Sequence, residues 1–169
     1  MSEPLAQALV EALGPAPFRF KPSQPVMQSP AFSWAFKVLA TAIVFGAAVW
    51  LVLLWGDKSP AAVSRSAAMT WFAAGVALML YTWWHIVTGC TRLDAELLRQ
   101  TWVWDKKMEL RELAYGKLIR VRGLDWLIAP RLYVRTLMGK FSVFYACDEN
   151  MINDFERLVK ELAEFRRMQ

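Results

Sequence analysis

The chain has 169 residues, 56% hydrophobic and 21% charged, with a formal net charge of +5. That length has room for a helical hairpin and one small domain, and excludes two full-sized domains. A single histidine, His85, and two cysteines without CxxC spacing, Cys90 and Cys147, exclude a disulfide framework, a bis-histidine haem within one chain and most metal sites.

Residues 1–33 read as a short helix followed by a linker. Ser2 is placed to cap a helix over Ser2 to Leu13, Pro4 suits its first turn, Gly14 can end it, and Leu5, Leu9 and Leu13 form one stripe. So short a helix needs something to pack on: the chain's own domain, a membrane surface or a partner. Pro15, Pro17, Pro22, Pro25 and Pro30 then imply an extended linker, with one strand-like alternation at Phe18-Arg19-Phe20-Lys21.

Residues 34–90 read as a transmembrane helical hairpin. No charge occurs in the 19 residues between Lys37 and Asp57, nor in the 26 between Arg65 and Arg92. About 20 apolar residues in a helix cross a hydrocarbon core of about 30 Å, so spans are expected over about 36–56 and 67–88. Trp34, Trp50 and Trp55 lie toward the ends of the first run, and Trp71, Tyr81, Trp83 and Trp84 toward those of the second, as interfacial aromatics do. The link Gly56 to Ser66 is short and turn-rich, which forces an antiparallel hairpin. Small residues four apart, Ala42/Gly46 and Ala73/Ala77, would permit close helix contact. Lys and Arg are denser beside the outer helix ends (Arg19, Lys21, Lys37; Arg92, Arg99, Lys106, Lys107) than in the link (Lys58, Arg65). Both termini are therefore expected in the cytoplasm. The first span starts too far in for an ordinary signal peptide.

Residues 91–169 change to short alternating segments. Leu97 to Trp104 reads as a strand, Asp105-Lys106-Lys107 as a turn, and Met108 to Leu110 as the returning strand. Further strands are expected at Leu118 to Arg122, Arg131 to Thr136 and Phe141 to Ala146, with a tight turn at Gly139. Met151, Ile152, Phe155, Leu158, Val159, Leu162 and Phe165 recur at helical spacing, giving an amphipathic helix over 148–167 with Asp148 as N-cap and Arg166 and Arg167 at its negative end. The fold class is thus membrane α+β: a two-helix hairpin, then a small antiparallel sheet or partial barrel closed by a C-terminal helix.

The stretch "TRLDAELLRQTWVW … KKMELREL … KLIRVRG … IAPRLYVRT … GKFSVFYA … MINDFERLVKEL" resembles the small pleckstrin-homology-like (PH-like) domains that follow two transmembrane helices in bacterial proteins. The correspondence runs over Thr91 to Trp104, Ile119 to Val121, Pro130 to Arg131 and Asp148 to Phe165. It implies a bacterial inner (plasma) membrane location and an interaction role. A full PH barrel has seven strands, and five or six are legible between Thr91 and Ala146. Either the barrel is reduced, or Phe18 to Lys21 supplies a further strand from across the hairpin.

The chain carries no H-E-x-x-H, glycine-rich phosphate loop or G-x-S-x-G, and nothing sets a nucleophile against a base. A non-enzyme without cofactors is expected. His85 reads as an interfacial histidine, with a proton relay or an axial ligand for a partner's cofactor as the functional alternative; Cys90 reads as juxtamembrane, with lipidation as a further option. Lys117, Arg120, Arg122, Arg131, Arg135 and Lys140 form a basic set opposed only by Asp125. Arg120, Arg122, Arg131, Arg135 and Lys140 are candidates for contact with anionic lipid or a partner, each basic side chain near such a surface contributing about 1 kcal/mol. The expected partners are membrane lipids and either further copies of the chain or other membrane-protein subunits, not nucleic acid. Three functions follow: a membrane-anchored scaffold, a small accessory subunit of a respiratory, transport or secretion complex, and a lipid or small-molecule sensor.

Overall fold

A computed structural model describes residues 17–56, 66–121 and 123–168. The helix expected over 2–13, most of the inter-helix link and Arg122 lie outside the described residues.

Strand β1 (Val26–Pro30) comes first, followed by helices α1 (Trp34–Gly56) and α2 (Ser66–Thr88). Strands β2 (Cys90–Asp94), β3 (Leu97–Thr101) and β4 (Lys106–Glu109) follow, then a 3-10 turn at Leu110–Glu112. Strands β5 (Leu113–Ile119), β6 (Arg131–Thr136) and β7 (Phe141–Tyr145) and helix α3 (Glu149–Arg167) complete the chain. The fold is α+β, with two antiparallel sheets ordered β1-β2-β3-β4 and β5-β6-β7. Neither sheet closes into a barrel.

Both α1 and α2 are long and apolar enough to cross a membrane. Each has 23 residues, or about 34 Å at 1.5 Å per residue. Ser33 caps α1: its Oγ accepts from the Phe36 amide at 3.2 Å, satisfying a donor that the first helical turn leaves open.

The expected Ala42/Gly46 contact does not form within the hairpin. Both residues are exposed, and a Cβ built on Gly46 would meet nothing within 4 Å. Ala77 is exposed as well, and Ala73 only half-buried. The helices meet instead through Val44 and Val76, through edge-on ring pairs Phe45–Trp83 and Trp50–Phe72, and through a polar chain near their outer ends. In that chain Trp83 Nε1 donates to Thr41 Oγ1 at 2.8 Å, Thr41 Oγ1 to the Lys37 carbonyl at 2.7 Å, and Lys37 Nζ to the Val87 carbonyl at 2.8 Å.

The β-domain is assembled from both sides of the hairpin, so a division at residue 91 leaves out its first strand. β1 pairs antiparallel with β2, from Val26↔Asp94 to Pro30↔Cys90. A strand from before the hairpin does join the sheet, but at Val26–Pro30 rather than Phe18 to Lys21. Pro30 fits because β1 is an edge strand and Pro30 its last residue. Phe18 to Lys21 keeps its alternation without ladder pairing: Phe18 and Phe20 are buried in the core, while Arg19 and Lys21 are exposed.

Two more expectations shift. Lys106 and Lys107 are not a turn but open β4, and the bend falls at Trp102 to Trp104. β5 starts at Leu113, with a bulge between Leu113 and Tyr115, and ends at Ile119. Arg120 and Val121 therefore lie beyond the strand on which they were placed. β6 matches its expected bounds, and Gly139, at φ +81°, makes the β6–β7 turn.

The core lies between the sheets and α3. Phe18, Phe20 and Met27 from the N-terminal segment join Leu93, Leu98, Leu132 and Phe144 from the sheets, and Met151, Phe155, Leu158 and Leu162 from α3. α3 lies over β5, where a Cβ on Gly116 would approach Val159 Cγ2 to 3.3 Å. Asp148 holds the N-cap position without a side-chain cap bond. Arg166 donates to the Leu113 carbonyl at 2.7 Å, tying the helix end to β5.

Candidate functional site

The distinctive region is the end of the β-domain that joins the hairpin. The β1–β2 ladder continues beyond its strands, since the Ala31 amide donates to the Gly89 carbonyl at 3.0 Å. Helix α1 begins three residues after Ala31 and α2 ends one before Gly89. Gly89 is buried, and a Cβ there would stand 2.9 Å from the His85 carbonyl oxygen. Only glycine fits so close a crossing. The hairpin therefore enters the sheet through a hydrogen-bonded, packed junction rather than through a loose linker.

Ser29, fully buried, fastens the same end to α3. Its Oγ accepts from the amides of Cys147 and Asp148, both at 3.0 Å. Thr91 Oγ1 donates to the Tyr145 carbonyl at 2.6 Å and joins the two sheets. Further along α3, Asp154 is 1% exposed and accepts from the Ser23 amide at 2.7 Å, from Ser23 Oγ at 2.5 Å and from Arg157 at 2.9 Å. Burial of a carboxylate is tolerable only with such partners. Burial likewise disfavours the Cys147 thiolate, pushing that thiol up to about 11.

A cavity of about 200 Å³ sits at the junction, lined by Phe32, Phe36, Gln100, Trp102, Lys106 and Tyr145. Lys106 Nζ donates to the Val143 carbonyl at 3.3 Å and lies 5.9 Å from the Tyr145 ring centroid; burial moves its pKa below that of an ordinary lysine. Gln100 Oε1 is buried without a hydrogen-bond partner. His85 packs edge-on against Tyr81 at 4.7 Å and near Trp102 at 6.4 Å. Among the described residues no group of three His, Cys, Asp or Glu side chains gathers as a metal site.

Of the basic set expected from sequence, register puts Arg120 and Arg131 toward the hairpin end and Arg135 and Lys140 toward the other. Arg120 is half-exposed and paired with Glu156 at 2.9 Å. Arg131 stacks over Tyr145 at 5.8 Å, with its Nε buried and unpartnered. Arg135 lies four residues farther along β6, about 13 Å from Arg131, and Lys140 lies beyond the β6–β7 turn, so both stand at the end away from the hairpin.

A basic row that alternation alone did not reveal lies instead on the outer face of the first sheet. Register places Arg92 opposite Arg99, and Arg99 opposite Lys107. Neighbouring strands are about 4.8 Å apart, and like charges directly opposite one another on one face of a sheet are destabilising. None of the three has an ion pair among the described residues. The row lies two residues from the hairpin end of the sheet, and the acids Asp94 and Glu109 lie two residues beyond it. The clue in the sequence was the pairs Arg92/Asp94 and Lys107/Glu109, which need the strand register to become rows.

Comparison with protein-family models, curated proteins and solved structures finds no match to this chain.

Proposed function

We propose that this chain is a non-catalytic, membrane-anchored interaction protein with a PH-like β-domain held at the cytoplasmic face of a bacterial inner membrane. The observation that carries this reading is the pairing of β1 with β2 across the hairpin. A domain that begins before the first span and resumes after the second is held at one leaflet by two helices, through a junction with little freedom. The PH-like reading is supported by strand count and order: among the described residues β1 brings the total to seven, in sheets of four and three, with α3 packed behind. The cytoplasmic side follows from the positive-inside bias. Arg92, Arg99 and Lys107 stand nearer the hairpin than Asp94 and Glu109, an arrangement suited to anionic headgroups.

The work of such a domain is docking. Its end away from the hairpin exposes Leu137, Phe141 and Met138, the last 89% accessible, which favours a protein partner there. Under the scaffold reading, capture of the tagged full chain in mild detergent brings down further copies of itself. Stoichiometric recovery of different membrane subunits would replace this with the accessory-subunit reading. Recovery of neither in membranes where the chain is abundant would refute both.

A further inference from the structure

We infer that two loops of the β-domain, Trp102 to Asp105 and Gly123 to Ile128, form a third contact with the bilayer, seated among the headgroups beside the hairpin. This rests on the membrane anchoring proposed above and adds a contact that the helices do not supply. The chain has nine tryptophans. Six lie in α1 and α2 (Trp34, Trp50, Trp55, Trp71, Trp83 and Trp84), and the other three, Trp102, Trp104 and Trp126, all lie in these two loops.

Strand register places both loops at the hairpin end. The first follows Thr101, which pairs with Cys90; the second lies between Ile119 and Arg131, which pair with each other, and Arg131 pairs with Tyr145. Contacts fix their height. Ser33, the cap of α1, donates through Oγ to the Leu127 carbonyl at 2.9 Å. Trp102 packs on Phe32 at 5.2 Å between ring centroids and approaches His85 on α2. The second loop is thus tied to the residue immediately before the first membrane helix.

Among the described residues nothing covers Trp104 or Trp126. Trp104 is 78% exposed and Trp126 62%, and Leu124 is exposed beside them. In water such residues would be an apolar liability; beside two membrane helices their matching solvent is the interface, which favours the amphipathic indole. Asp105 and Asp125, both exposed, set the depth. Their carboxylates belong among headgroups, so the loops rest at the interface without entering the hydrocarbon.

The test uses the full chain in proteoliposomes, with Cys90 and Cys147 replaced by serine and one spin-labelled cysteine at a time in place of Trp104, Trp126, Met138 or Val49. Oxygen, which partitions into lipid, and a water-soluble nickel chelate compete to relax each label. Labels at 104 and 126 are expected to show an oxygen-to-nickel ratio several-fold above the label at 138 and below that at 49. Ratios at 104 and 126 equal to that at 138 would overturn the inference while leaving the anchor intact. A water-like ratio at 49 would overturn the anchoring itself. As a label-free check on the native side chain, Trp126→Phe is expected to remove part of the fluorescence quenched by lipids brominated near the headgroup; unchanged quenching would count against the contact.

Discussion

Removing residues 1–30 is expected to unfold the β-domain while leaving the helical hairpin in place. The truncation takes away Phe18, Phe20 and Met27, each nearly fully buried. At about 1.5–3 kcal/mol per buried side chain, their loss alone costs roughly 5–9 kcal/mol. It also strips the β1–β2 ladder and leaves the Cys147 and Asp148 amides, which Ser29 accepts, without a partner at about 1–3 kcal/mol per stranded donor. Domains are stable by only about 5–15 kcal/mol, so the sum reaches or exceeds what is there to lose. The assay is amide hydrogen exchange of the full and truncated chains in the same detergent, read on peptides from β2, β3 and β6. Full protection is expected in the first, and exchange near the unfolded rate in the second, with protection of α1 and α2 retained in both. Unchanged protection of Leu93 and Leu132 after truncation would refute the reasoning. Ser29→Ala is the finer version, expected to lower stability measurably without unfolding the domain.

Three other outcomes follow from single sites. Asp154→Ala should destabilise the domain more than Arg157→Ala in denaturant titrations, because it leaves the Ser23 amide without its acceptor, and Asp154→Asn should recover part of the loss. In a Cys90→Ser background, Cys147 should react with an alkylating reagent at pH 8 about a hundredfold more slowly than an unperturbed thiol, since its pKa is raised from 9.0 to about 11. The sign for stability is also fixed: this contribution is whole below pH 9 and is lost as pH rises from 9 toward 11, because only the unfolded chain ionises freely there. Gly89→Ala should loosen the junction, seen as faster exchange at the Ala31 amide, because its Cβ would press on the His85 carbonyl.

Elements written in local pattern were legible in the sequence. The two charge-free runs, the apolar stripe of α3, β6 with its strict alternation and the glycine of the β6–β7 turn all appear where the residues placed them. What failed depends on partners far along the chain. β1 reads as linker because prolines flank and end it, and its pairing partner lies about sixty residues away beyond the hairpin. Lys106 and Lys107 read as a turn because charge is common in turns, yet an exposed edge strand accepts it equally well. The Ala42/Gly46 spacing marks one stripe of a helix but cannot say which way that stripe faces. The row Arg92, Arg99 and Lys107 exists only once three strands are in register, whereas Arg131 and Arg135, neighbours by alternation, end at different heights on the sheet.

A β-domain built around the hairpin requires Gln28 and Arg92 to face each other across β1 and β2. Cysteines at these two positions, with Cys90 and Cys147 removed, would have cross-strand spacing short enough for a disulfide. After mild oxidation of native membranes and cleavage at a protease site placed in the 57–65 link, the two halves of the chain are expected to stay joined until reductant is added. Separation of the halves before reduction would contradict a β-domain built around the hairpin.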